Sequence, residues 1–361
     1  MAKDFRAMLA KADGYKDPEK MKDIHADVLD TSSPSLNFCF GKGWGLPRGY
    51  SMMLFGPPRG GKTIIANDMI GRLHQSRPDA YAIKFDTEFR AEGQMGEDQQ
   101  RIWGIDPKRF VVYEVNHADQ VFDAIEQKVG ATAEAGADIG LVIIDSLTGV
   151  MGRNTADRET INKQLRGDHA TTVQEGLKQI LSVQRRYNFA LVVTTHVRVE
   201  MDPYKAMKSE GVRAQASYGT LHHCEYYMYV RPDFRKESQT DALGNEFRDE
   251  DFLDMDDRGD RTAHKIRVHV TDSSFGSKDR RGEFTFDYEN GVINQYEEIA
   301  KLAKNRGLIQ VNGAWYSYGE QKWNGEEKLV MAVRDNVDLQ NELLAALKAK
   351  DRRAPTPTKE T

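Results

Sequence analysis

Residues Gly56-Pro57-Pro58-Arg59-Gly60-Gly61-Lys62-Thr63 have the spacing Gly-x-x-x-x-Gly-Lys-Thr, a pattern suited to holding phosphate. Glycines let successive backbone N–H groups turn into one concavity, and a helix starting at Thr63 and Ile64 adds the positive end of its dipole. Lys62 is placed to reach the β- and γ-phosphates of a nucleotide, and the Thr63 hydroxyl to help hold Mg²⁺. The plain alternative is a Gly-rich strand-to-helix turn that happens to contain lysine. The apolar run Met52–Phe55 before it and the helix-compatible run after it favour the nucleotide site.

Other residues have chemistry to offer beside that loop. Asp145 ends the apolar run GLVIID, where a carboxylate would orient Mg²⁺ through water; a strand-end Asp that caps a turn is the structural alternative. Glu88, in KFDTEFRAE, follows the strand-like run after the P-loop helix. In an open parallel sheet the carboxyl ends of neighbouring strands face one crevice, so Glu88 is either a base for the attacking water or a solvated loop acid. His196 ends FALVVTTHVR at the same crevice and is either a structural strand-end histidine or a γ-phosphate sensor. Two polar stretches follow these strands. Residues 152–169 contain Arg153, Arg158, Lys163 and Arg166, and residues 197–218 contain Arg198, Lys205, Lys208 and Arg213, with Met201, Tyr204, Met207 and Tyr218 between them. Cations for phosphates beside apolar and aromatic side chains for bases suit single-stranded nucleic acid. Either cluster alone is also what an exposed loop looks like.

The elements that must position these residues are an alternation of apolar strands and helical faces. Strands are expected at 80–86, 110–115, 140–145 and 189–195, with Val121, Phe122, Ile125 and Val129 on one helix face and Val173, Leu177, Ile180 and Leu181 on another. Such runs predict an α/β fold: a mostly parallel sheet covered by helices on both faces. Leu36, Phe38 and Phe40 alternate as in a strand, and strand-like runs at 225–230, 264–270 and 283–288 suggest hairpins extending one sheet edge. Residues 3–12 read as a short helix on a polar tether, so 1–31 form a docking segment, 32–288 the core, 289–350 a small α/β domain and 351–361 a disordered tail. Residues 233–262, with DEDFLDMDD, read as a solvated acidic insertion without the ligand ladder of a calcium loop. At 361 residues the chain is too long for one ordinary core, and Cys39 and Cys224 lack metal-ligand spacing, so both are expected as reduced core thiols. No long apolar run or leader pattern occurs, which predicts an intracellular protein away from membranes. A net charge of −5 means that nucleic-acid binding must come from local patches.

From about Ser32 to Leu347 the chain resembles the RecA recombinases of bacteria and their phages, the phage UvsX-like branch among them. The resemblance is carried by SLNFCFGKGWGLPRGYSMMLFGPPRGGKT, FDTE, LVIIDS, TTHVR and GLIQVNGAWYSYGEQ. It implies a RecA-type core, an N-terminal helix that packs on the next protomer, and a small C-terminal domain. Protomers would join head to tail as a helical filament on single-stranded DNA, exchange strands with homologous duplex DNA, and meet single-strand-binding and mediator proteins in the bacterial cytoplasm. ATP and Mg²⁺ would lie between subunits. Lys62 and the rest of 56–64 would bind the nucleotide, Thr63 and Asp145 the metal, and Glu88 would activate water. Residues 152–169 and 197–218 would be the DNA-binding loops. Two features depart from the family. Bacterial members carry Gln where His196 stands, and two lysines near Thr271 and Ser273 that reach the neighbour's ATP. Lys278, Arg280 and Arg281 are the trans-acting candidates by proximity. A hexameric RecA-fold helicase, or a non-exchanging paralogue or regulator, is the alternative reading.

Overall fold

The computed structural model describes residues 17, 19, 21, 23–94, 96–152, 168–202, 204, 211–233, 239–240 and 263–352. The helix expected at 3–12, most of the acidic insertion, the tail from 353, and Arg153, Arg158, Lys163, Arg166, Lys205 and Lys208 lie outside them.

The nine strands on the path of the large sheet are β1 Ser51–Phe55, β2 Tyr81–Asp86, β3 Phe110–Glu114, β4 Ile139–Asp145, β5 Ala190–Thr195, β6 Tyr226–Pro232, β7 Ala263–Ser273, β8 Arg281–Asp287 and β9 Gly291–Ile293. Their order is β9-β8-β7-β6-β1-β5-β4-β2-β3, and Gln239–Thr240 also pairs with β7. The six strands from β6 to β3 are mutually parallel; β7, β8 and β9 are antiparallel additions. The sequence pattern shows why. IGLVIID, ALVVTT and SMMLF are buried along their whole length, as parallel strands sheathed on both faces must be. One apolar layer holds Met52, Leu54, Leu141, Ile143 and Val192 and the other Met53, Val142, Ile144 and Val193, so each strand feeds both by alternation. The main helices on these faces are α1 Pro34–Cys39, α2 Lys62–Ser76, α3 Glu97–Trp103, α4 Ala118–Asp123 (continued to Glu134 through a π turn) and α5 Asp168–Tyr187.

Three expectations are corrected. The alternating Leu36-Asn37-Phe38 run is helical, because the Ser33 side chain accepts from the Leu36 N–H and Pro34 opens the first turn. Tyr226–Pro232 is an interior parallel strand between β1 and β7, not part of an edge hairpin. The polar tether is anchored from Asp23 onward: Val28–Leu29 pairs with Leu46–Pro47, and Asp30 pairs with Arg72 and Asp27 with Arg77.

The small C-terminal unit is α6 Gln295–Asn305, a three-stranded sheet (Gln310–Asn312, Trp315–Tyr318, Gln321–Asn324), α7 Glu326–Asp335 and α8 Val337–Arg352. Its own core is Ile299, Ala303, Ile309, Leu329, Val333, Leu339 and Leu343. It is fixed to the large sheet at two buried carboxylates. Glu298 accepts from Ser33 Oγ (2.6 Å) and Ser35 N (2.8 Å). Asp351 accepts from Arg280 and the Trp44 indole across the seam, and from Arg306 within the unit. Cys39 and Cys224 are buried free thiols. Among the described residues no helix is long and apolar enough to cross a membrane.

Candidate functional site

β1 stops at Phe55, and residues 56–61 curl to deliver the chain to α2. Two glycines are required there. A Cβ on Gly56 would sit 1.9 Å from the Val230 carbonyl, and Gly61 has φ 100° and faces Ile266. Arg59 takes a left-handed conformation (φ 57°) with its side chain exposed. No side chain caps the N-terminus of α2, so its first-turn amides point into the loop. The Lys62 ammonium donates to the carbonyls of Gly56 and Pro57, each at 2.9 Å. Burial pushes its pKa down, against the pull of Asp145 and Glu88.

Asp145, at the tip of β4, is buried in a set of hard donors. Thr63 Oγ1 donates to its Oδ2 at 3.0 Å and Thr194 Oγ1 to its Oδ1 at 2.6 Å. Lys84 Nζ lies 3.1 Å from the same Oδ2, with its side chain fully buried. Burial would raise the Asp145 pKa, but Lys84 and the hydrogen bonds from Thr194 and Thr63 outweigh it and hold the carboxyl below its usual range. A threonine hydroxyl beside an ionised carboxylate is an oxygen donor set that fits Mg²⁺.

The turn after β2 is laced to the tip of β4. Asp86 accepts from the amides of Glu88 (3.0 Å) and Arg90 (2.6 Å), while Thr87 Oγ1 donates to the Ser146 carbonyl at 2.6 Å. The Asp145–Ser146 peptide bond is cis. The Asp86 and Thr87 hydrogen bonds hold Glu88 half-buried, where Oε1 accepts from Ser146 Oγ at 2.7 Å and lies 3.5 Å from His196 Nε2. Arg90 approaches Oε2 at 3.1 Å. The three residues that the sequence places at strand ends, Glu88, Asp145 and His196, are therefore neighbours at the tips of β2, β4 and β5, with Lys62 and Thr63 opposite.

The nucleic-acid candidates leave from the same edge. The stretch after His196 is not irregular throughout: Val197–Val199 pairs antiparallel with Val212–Ala214, because V-R-V and V-R-A alternate. Arg198 and Arg213 are register partners in this ribbon and both are exposed. The His196 carbonyl accepts from Gln215 N at 2.8 Å, so His196 is the base of the ribbon. Met201 and Tyr204, at its far end, are 82% and 68% exposed. Arg213 also lines a cleft of about 510 Å³ with Tyr227, Thr271 and Ser273. The ends of the first loop meet: a Cβ on Gly152 would sit 2.2 Å from Asp168 Oδ2.

The trans-acting candidates sit elsewhere. β6 and β7 are antiparallel, and Ile266 in early β7 touches Gly61, so the β7–β8 turn lies at the end of the sheet away from the P-loop. Lys278 is exposed there, 3.6 Å from Asp272, and Arg281 opens β8. Arg280 is displaced from this set: its guanidinium is tied to Asp351, to the Phe38 carbonyl and to the Phe38 ring. Sequence reasoning missed Lys84, Asp86, Ser146 and Thr194. The one available signal was a lysine inside the apolar run AYAIKFD.

A parallel sheet with a phosphate loop after an interior strand, a Thr–Asp pair suited to Mg²⁺ and a carboxylate at the next strand tip defines a P-loop NTPase core. A family model, the RecA N-terminal domain, matches residues 16–250, more than half of the chain. The chain is 24% identical over 327 residues to the protein RecA of Thermus aquaticus, covering 90% of this chain and 86% of that one. It is 26% identical over 329 residues to that of Thermus thermophilus, with coverage of 90% and 86%, and 22% identical over 331 residues to that of Deinococcus radiodurans, with coverage of 90% and 82%. The chain belongs to the RecA family of recombinases. ATP binding, DNA binding, recombination and repair come with that membership.

Proposed function

We propose that the chain is a DNA-dependent ATPase that assembles as a helical filament on single-stranded DNA and catalyses homologous pairing and strand exchange with duplex DNA in the bacterial cytoplasm. The observation that carries this reading is the 3.5 Å approach of Glu88 to His196, because the His196 carbonyl also holds the base of the cationic ribbon. Whatever Glu88 and His196 sense is thereby passed to Arg198 and Arg213.

In this mechanism the amides of residues 56–63 and the Lys62 ammonium bind the ATP phosphates. Thr63 and Asp145 would hold Mg²⁺, which when bound would supply neutralisation of the phosphates' charge. Glu88, oriented by Ser146, accepts the proton of the attacking water. His196 marks the γ-phosphate's presence and shifts the ribbon, so nucleotide state and DNA affinity change together. Protomers stack head to tail, since the P-loop and the β7–β8 turn occupy opposite ends of the sheet, and such heterologous contacts build open helices. Lys278 and Arg281 are the cations that this arrangement would offer to a neighbour's nucleotide. Single-strand-binding and mediator proteins are the partners that would load such a filament.

The test is ATP turnover of wild type and Glu88→Gln, with and without single-stranded DNA, imaged in parallel by electron microscopy. Wild type is expected to form filaments and hydrolyse ATP faster on DNA. Glu88→Gln is expected to lose roughly 10²- to 10⁴-fold in turnover while still binding nucleotide and DNA. Unchanged turnover removes Glu88 from its role. Closed rings that unwind duplexes indicate a hexameric helicase instead, and a wild type without turnover indicates a regulator.

A further inference from the structure

Lys84 is a side chain that the mechanism above leaves unused. It sits mid-strand in β2, on the face shared with Ala82 and Asp86, while Ile83 and Phe85 belong to the opposite layer. An apolar residue would suit such a site, since a buried ammonium is costly without an ionic partner. Its partner is Asp145 Oδ2 at 3.1 Å, the same oxygen that receives Thr63 at 3.0 Å, and the Lys84 side chain is 0% exposed. Thr194 takes the other carboxylate oxygen. Lys84 and Thr63 thus share one oxygen of Asp145, with Lys84 reaching it from mid-strand in β2.

We propose that Lys84 is the resident counter-charge of Asp145 and makes divalent-metal binding at the Thr63–Asp145 pair conditional on the phosphates of a bound nucleotide. The proposal rests on reading residues 56–63 as a phosphate site. A hard cation with one carboxylate needs further negative charge to give up its water. Lys84 offsets the charge of Asp145, so a bare ion meets a neutral pair. The triphosphate supplies the missing charge, and Lys62 can turn to it while Lys84 cannot leave. Neutralising Lys84 leaves a net negative pocket that attracts the ion without nucleotide.

Mn²⁺ binding to the full chain, followed by electron paramagnetic resonance of the free ion, tests this without turnover. Titrations are run with and without a non-hydrolysable ATP analogue on wild type, Lys84→Met and Lys84→Arg, with the analogue's own chelation of Mn²⁺ measured without protein and subtracted. Wild type should bind Mn²⁺ much more tightly with the analogue than without it. Lys84→Met should gain at least ~10-fold in nucleotide-free affinity, since one charge this close, at an effective dielectric constant of about 20, shifts binding by that much or more. Lys84→Arg should stay with wild type. Nucleotide-free affinities of Lys84→Met and wild type within twofold overturn the proposal. So does a wild type that binds Mn²⁺ equally with and without analogue, an arm that needs no variant to fold. Mn²⁺ bound in neither condition has a different meaning, because it removes the phosphate-site reading itself.

Discussion

Asp351→Ala should loosen the C-terminal unit from the large sheet. The Asp351 carboxylate is 1% exposed and accepts from Arg280 Nη1 (2.9 Å) and Nη2 (3.2 Å), Arg306 Nη2 (2.9 Å) and Trp44 Nε1 (2.9 Å). Removing one partner of a buried ion pair costs about 3–5 kcal/mol, because the other charge is left without compensation. Here the discount is real: Arg306 belongs to the C-terminal unit itself, so only the Arg280 pair crosses to the large sheet, and the Arg280 side chain is 23% exposed and can partly rehydrate. The Trp44 indole, in a residue only 3% exposed, cannot, which adds about 1 kcal/mol. The balance is a loss of ~2–3 kcal/mol. At low protease concentration, cleavage between the two units tracks the population of the opened state. Cleavage near residues 288–294 should therefore accelerate by roughly 30- to 150-fold. Rates within twofold of wild type would refute the assignment of Asp351 as the anchor.

The second anchor gives a pH dependence. Burial pushes the Glu298 carboxyl from 4.5 up to about 8, against hydrogen bonds from Ser33 and Ser35. A folded-state pKa above the unfolded one means that its stabilising effect is complete below about pH 4.5 and is lost as pH rises to about 8. Glu298→Gln should flatten the urea midpoint across that window, and an unaltered slope counts against the burial argument. In the ribbon, Arg198→Ala and Arg213→Ala should each lower the slope of log affinity for single-stranded DNA against log salt by about one, and the pair by about two. Unchanged slopes in a fluorescence-anisotropy titration would exclude these two as phosphate contacts.

The sequence made the parallel strands legible because each is a short apolar run bounded by polar residues, as in IGLVIID and ALVVTT. The phosphate loop was legible for a different reason: its glycines and lysine must be contiguous. Glu88, Asp145 and His196 could be placed at one crevice from the rule that parallel strands share a carboxyl end. Their partners could not. Lys84 meets Asp145 only through the register of β2 on β4, and Ser146 reaches Glu88 across 58 positions. Glu298 finds Ser33 across 265 positions, which no local pattern encodes. At α1 two local signals competed. Alternation spoke for a strand, and Ser33 with Pro34 spoke for a helix start, which prevailed. β6 reads as a strand from Tyr226, Met228 and Val230, but its seat beside β1 depends on a crossover that the segment does not record.

That seat bears on how the protein is made on the ribosome. β1 emerges early, yet its neighbours in the sheet are β5 and β6, and the carbonyl that closes on Gly56 belongs to Val230. A nascent chain therefore carries the whole phosphate-loop motif for well over a hundred codons before the strand that completes its floor has been translated. During that interval β1 lacks both of its sheet partners, the state in which strands pair with the wrong chain. A transcript cut before the codon for Val230 would yield a product that matches the motif in sequence but has no complete pocket.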